Sequence, residues 1–117
     1  MLYRISQPDD WQRAQQNGFF ASPDLVAEGF IHASELAQVL ETARLYYADS
    51  PGALLLEIDE VALLATGVRV EREWAAGRQA WFPHVFGPVP LAAVRRVWQL
   101  PVAADGSAAL PPELVEQ

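Results

Sequence analysis

The chain has 117 residues, of which 51% are hydrophobic and four are tryptophan, and it carries a formal net charge of −7. This suits one ordered domain with a real core and excludes a disordered chain. The acidic balance argues against general nucleic-acid binding, which draws on clustered Lys and Arg, and the absence of cysteine removes disulfides, thiolate nucleophiles and zinc–thiolate sites.

In chain order, Leu2 to Ser6 reads as a strand, with Tyr3 and Ile5 on one side and Leu2, Arg4 and Ser6 on the other. Pro8-Asp9-Asp10 starts a helix over Trp11 to Gln16, with Asp9 or Asp10 as the N-cap and Asn17-Gly18 as the C-cap pair. Phe19-Phe20 reads as extended core. Residues 21–28 contain the turn Ser22-Pro23-Asp24, are compatible with one helical turn, and are expected as a loop able to fold over a ligand. Gly29 to His32 reads as a short strand entering the middle of the sheet. Ser34 is placed to cap a helix over Glu35 to Ala48, with its apolar stripe at Leu36, Leu40, Ala43 and Tyr47 and Val39 at the border. Ala53 to Ile58 is an apolar run, expected as a buried central strand. Val61 to Ala65 reads as a helical turn.

Val68 to Trp74 alternates, with Arg69, Glu71 and Glu73 on one face and Val68, Val70 and Arg72 on the other. Ala75 to Gln79 is a mobile-looking connection. Trp81 to Phe86 is extended and interrupted at Pro83, Gly87-Pro-Val-Pro90 reads as a rigid turn, and Leu91 to Ala93 as a short helical turn. Val94 to Leu100 is the last strand. The rest, about 104–117, reads as a loosely packed tail of the single domain, with Leu110 and Leu114 tacking it down. The expected class is α+β, one domain over 1–117 with a mainly antiparallel or split sheet. No signal segment and no membrane-length apolar run is visible, so a cytoplasmic location is expected, without membrane association.

Each of the two histidines lies in a distinctive stretch, His32 in Gly29-Phe-Ile-His-Ala-Ser34 and His84 in Trp81-Phe-Pro-His-Val-Phe-Gly-Pro88. A strand end meeting a helix N-terminus offers amides, the Ser34 hydroxyl and the His32 imidazole to a phosphate or carboxylate. The same residues also read as a helix cap and a hydrogen-bonded core histidine. His84, among Trp81, Phe82 and Phe86, is either a packed neutral ring or the polar handle of an apolar wall for a flat ligand. Arg4, Arg69 and Arg72 are candidate anion clamps. Glu71 and Glu73 share a strand face and are either an acid/base or ribose-cradling pair or a solvated charged face. Glu57, in an apolar strand, needs a partner if buried. No phosphate-binding P-loop, glycine-rich dinucleotide motif, serine elbow or metal-ligand spacing is present.

The segments Gly29-Phe-Ile-His-Ala-Ser34 with Gln38, Phe82-Pro-His-Val-Phe-Gly-Pro88 and Leu2-Tyr-Arg-Ile5 together resemble the bacterial family known as domain of unknown function 952. The resemblance covers roughly Met1 to Leu100. It implies a fold similar to the ADP-ribosyltransferase-like superfamily, which includes NAD-consuming transferases and RNA 2′-phosphotransferases. By that likeness Arg4 stands where a His or Arg of the first strand holds the NAD-type ligand. His32 and Ser34 match a His-x-Ser motif, and Glu71 is the acid taken for the ribose-steering glutamate. This chain departs from the family in having Arg4 where His is common, and the third-motif glutamate has no strict counterpart.

The leading expectation is a cleft for NAD or a related nucleotide phosphate, with chemistry like that of ADP-ribosyl- or 2′-phosphotransferases. Arg4, His32 and Ser34 hold phosphate and ribose, Gln38 belongs to the same motif, and Trp81, Phe82 and His84 line the wall. His32 and Glu71 are the candidate catalytic residues. Such catalysis rests on placement and electrostatics, so no cofactor beyond the nucleotide is required, and NAD is the ligand or substrate implied. The alternatives are a non-catalytic binding or regulatory module that has lost the glutamate, and a hydrolase using His32 and His84 as an acid/base pair.

Overall fold

The structure is a computed structural model and describes residues 1–115. Its strands are β1 (Leu2–Ser6), β2 (Phe19–Phe20), β3 (Ile31–His32), β4 (Leu54–Ile58), β5 (Arg69–Ala75), β6 (Ala80–Phe86), β7 (Val89–Pro90) and β8 (Val94–Gln99). Its helices are α1 (Pro8–Asn17), α2 (Pro23–Glu28), α3 (Val39–Tyr46), α4 (Glu60–Ala65) and α5 (Pro112–Val115), with 3-10 turns at Leu36–Gln38 and Leu91–Ala93. All strand pairings are antiparallel, in sheets ordered β1-β4-β8, β3-β6-β5 and β2-β7. The class is therefore α+β with a split antiparallel sheet in one domain.

The β1-β4-β8 sheet is covered on both faces. Leu2, Leu56 and Ile58 enter one apolar cluster with Phe20, Ile31, Leu63 and Val85. Tyr3, Ile5 and Leu55 enter a second with Val39, Ala43, Leu100 and Leu114. This double burial explains the continuous apolar run of β4, the central strand, because both of its alternating faces meet core. Each fully buried Leu or Ile there contributes about 1.5–3 kcal/mol by leaving water.

Ser34 does not cap a helix. Its N–H and C=O form a bridge with Tyr3, at 2.8 and 2.9 Å, which joins the β1-β4-β8 sheet to the end of β3. The cap is Glu35, whose N–H donates to Gln38 Oε1 at 2.9 Å, and the chain then makes a 3-10 turn before α3. Three residues at about 120° each, against about 100° in an α-helix, rotate the stripe by roughly 60°. Val39 and Ala43 are therefore the buried positions, and Leu40 stays 37% exposed.

Residues 21–28 are not a loop. Pro23 takes the first helical position, Asp24 follows in the first turn, and Gly29 ends the helix at φ 87°, a left-handed conformation suited to glycine. Helix α1 likewise begins earlier than expected, at Pro8 with Gln7 as cap, so Asp9 and Asp10 sit in its first turn. Gly29 belongs to that α2 cap, and β3 is an edge strand beside β6, not a middle strand. Of the Phe19-Phe20 pair only Phe20 is core; Phe19 is 41% exposed.

Pro83 does not interrupt β6. Its carbonyl accepts from Ala33 N–H at 3.1 Å, on the side where the β3 ladder has already ended at His32. The N and C=O of one strand residue point the same way, so the missing proline donor falls outside that ladder. The Gly87–Pro90 segment is likewise more than a turn, since Val89–Pro90 pairs with β2. The segment after Ala104 is held against the body. Leu114 is 3% exposed, and Ala108 and Leu110 pack on the second cluster. The last two tail positions, 116 and 117, lie outside the described residues.

Candidate functional site

A cavity of about 540 Å³ lies beside the Tyr3–Ser34 bridge, and both of these residues line it. Its walls come from β1, β3, β6, the start of α2, α3 and the β5–β6 turn. The strand registers explain which side chains reach it. Ile31 pairs with Val85 and both enter the apolar core, so the adjacent pair His32 and His84 faces the other way. Their ring centroids lie 5.3 Å apart with planes near perpendicular.

Each histidine is held at Nδ1 by its own carboxylate. His32 Nδ1 lies 2.9 Å from Asp24 Oδ2, and His84 Nδ1 lies 2.7 Å from Glu73 Oε1. A carboxylate only accepts, so each Nδ1 carries a proton and donates it to its own carboxylate. His84 also stacks on Phe30, with centroids 4.0 Å apart and planes 13° apart. No partner for His84 Nε2 is found among the described residues. His32 Nε2 has Glu28 Oε2 at 3.6 Å.

Asp24 is the hub of this corner. Its Oδ2 accepts from Arg4 Nη1 at 2.8 Å and from the His32 backbone N–H at 2.9 Å, and its Oδ1 accepts from Ser22 Oγ. Burial alone raises its pKa. The His32 hydrogen bonds, the Arg4 charge and the Ser22 hydroxyl together outweigh that and hold the carboxyl far below the usual range. Arg4 also donates to the His32 carbonyl at 3.0 Å, and its Nε is buried without a partner among the described residues.

A second guanidinium, Arg78, enters from the β5–β6 turn. Its Nη1 donates to Thr42 Oγ1 at 3.1 Å, and its Cζ lies 4.6 Å from the Phe82 centroid and 5.9 Å from that of Tyr46. Ser34 Oγ lies 3.5 Å from the same Thr42 oxygen. On the floor, Tyr3 Oη donates to buried Glu57 at 2.9 Å; burial first, and then that acceptor, pushes the Tyr3 pKa up to about 12.

Of the residues singled out in the sequence, Arg4, His32, Ser34, Phe82 and His84 line this one cavity. Gln38, Trp81 and Glu71 do not. Gln38 closes the 3-10 turn and donates through Nε2 to the Trp81 carbonyl at 2.8 Å. Trp81 is 59% exposed and packs edge-on against Trp74. Glu71 is exposed, with Arg69 Nη1 at 3.4 Å, and the carboxylate that reaches His84 is that of Glu73. Arg69 and Arg72 are also elsewhere, Arg72 bridging Glu35 and Glu60. Asp24 and Arg78 were not foreseen. The signal for Asp24 was present as Pro23 at a helix start and glycine at its end, whereas a turn arginine carries no local pattern. No group of three or more His, Asp or Glu side chains among the described residues is arranged to hold a metal.

The family model described as "Protein of unknown function (DUF952)" matches residues 5–97. The chain belongs to this family. It is also similar to protein CC0527 from Caulobacter crescentus in two solved structures. The crystal structure is 31% identical, covers 97% of each chain and superposes with a TM-score of 0.83. The solution NMR structure is 30% identical, covers 99% of this chain and 97% of that one, and has a TM-score of 0.78. These likenesses extend over nearly the whole chain, including α2 and both histidine stretches. No curated protein matches the chain.

Proposed function

We propose that the cavity binds NAD or a related nucleotide phosphate, in the manner of the ADP-ribosyltransferase-like proteins whose fold the family resemblance implies. The observation that carries this reading is the meeting of two guanidinium groups, two imidazoles and the hydroxyls of Ser34 and Thr42 with the aromatic faces of Phe82 and Tyr46 in one space of about 540 Å³. Guanidinium pairs with phosphate in bidentate fashion, and aromatic faces suit a flat base. A volume of this size matches a nucleotide better than a polymer, in keeping with the net charge of −7.

The decisive experiment is a chemical-shift titration with NAD, ADP-ribose and nucleoside phosphates. Shifts at Arg4, His32 and Arg78 are expected; none at millimolar ligand would sink the nucleotide reading.

A second reading is a binding or regulatory module without ribosyl-transfer chemistry. It is favoured by Glu71, which shares a strand face with Glu73 but is exposed, paired with Arg69 and outside the cavity lining. If NAD binds and is never consumed, and Glu71→Gln changes nothing, the module reading stands.

A further inference from the structure

We propose that His32 and His84 are an acid–base pair that hydrolyses a phosphodiester carried by a single nucleotide, with Asp24 and Glu73 as the residues that orient them. The proposal rests on the nucleotide-phosphate reading and adds a reaction to it. Its basis is the doubling of one arrangement. Two imidazoles 5.3 Å apart face one cavity, and each is fixed at Nδ1 by a separate carboxylate from a different element, α2 or β5. A structural histidine needs one such contact at most. Two of them side by side, with Arg4 and Arg78 in the same walls, provide what a phosphoryl centre requires: a proton acceptor, a proton donor and cations for the equatorial oxygens.

The step balances with water as the only co-reactant. The water oxygen attacks phosphorus while His84 Nε2, the ring nitrogen without a partner, takes its proton. The P–O ester bond breaks, its electron pair goes to the leaving oxygen, and that oxygen takes a proton from His32, which enters the step as the imidazolium with a carboxylate facing each ring nitrogen. For a cyclic diester the product is a single nucleoside monophosphate that carries the freed hydroxyl, and the two rings exchange their proton states through solvent before the next turnover. The attacking and leaving oxygens each need a ring nitrogen within about 3 Å, which rings at this separation can meet across one phosphate. A cavity of about 540 Å³ has room for one nucleotide, so the fitting substrate is a cyclic phosphodiester of a mononucleotide.

The test uses adenosine 2′,3′-cyclic phosphate as probe, with phosphorus NMR for turnover and amide shifts for binding. Conversion to a monoester is expected, falling at least about a hundredfold in His84→Asn and in His32→Asn. Glu73→Gln is expected to lower kcat about tenfold or more with KM unchanged, and Glu73→Asp to recover part of it. A purely structural Glu73 would instead alter folding or KM, and amide spectra of each variant check the fold. If NAD binds and the cyclic phosphate either does not bind or is bound and never cleaved, the acid–base proposal fails and the nucleotide reading survives. If neither ligand binds, both fail. Cleavage that persists in both histidine variants also overturns the proposal.

Discussion

Two well-partnered acids, the buried Glu57 and the half-buried Asp24, are handled in opposite ways. Glu57 projects from β4, the central strand, and is 3% exposed. It accepts from Tyr3 Oη and from two nitrogens of Arg96, at 3.0 and 3.1 Å, all from strands paired directly with its own. Its partners are thus fixed by sheet register: Tyr3 and Arg96 are its cross-strand neighbours. Asp24 projects from α2, a helix with no buried side chain, and its partners come from β1, the end of β3 and its own first turn. One acid is held by the sheet. The other holds its helix to the sheet. A charge locked by register stabilises a core, whereas one that anchors a thin helix at a cavity wall is placed to respond to what enters.

The largest effect should follow from Glu57→Gln. It removes the charge-assisted bonds and weakens the acceptor for Tyr3, so urea unfolding should show a loss of about 2 kcal/mol. Half-exposed Arg96 turns to water, which keeps the loss below that of a fully buried ion pair. Asp24→Asn should cost about 1 kcal/mol, because α2 can yield without exposing core. A loss larger than that of Glu57→Gln would show the contrast to be wrong.

Acid titration sharpens it further. Burial raises both carboxyl pKa values, but the hydrogen bonds and positive partners lower them more, so each folded value lies below its unfolded one. Each acid therefore adds stability above about pH 4, and that stability is lost as pH falls towards the folded value. Asp24→Asn and Glu57→Gln should therefore each flatten the acid limb of the stability curve. The smallest stability effect is expected for Arg78→Ala, within about 0.5 kcal/mol. That substitution should still weaken nucleotide-phosphate affinity about tenfold, read from the same titration that tests the cleft.

The sequence made the Glu57 side of this comparison legible and most of the Asp24 side illegible, for a physical reason. An acid in an unbroken apolar strand is anomalous by pattern alone, and period-two alternation carries through a sheet. Asp24 instead lies after Ser22-Pro23, which fits a turn as well as a helix start, and its worth comes from Arg4 and His32 across the fold. The α3 stripe slipped by one position because a Glu35–Gln38 cap wound the entry as a 3-10 turn. The pairing of His32 with His84 depends on β3–β6 register, which no spacing within either motif encodes. Trp81 and Gln38 belonged to the right segments, but strand alternation turned Trp81 outward and helix entry used up Gln38.

The Tyr3–Ser34 bridge joins the end of β3 to β1 through two reciprocal amide bonds in the wall of the cavity. Those two amide protons are therefore a gauge of its width. A ligand that wedges the sheets apart would quicken their exchange with deuterated solvent, and one that draws the walls together would slow it. Backbone exchange at Tyr3 and Ser34 would then report the direction of any movement without a label in the pocket.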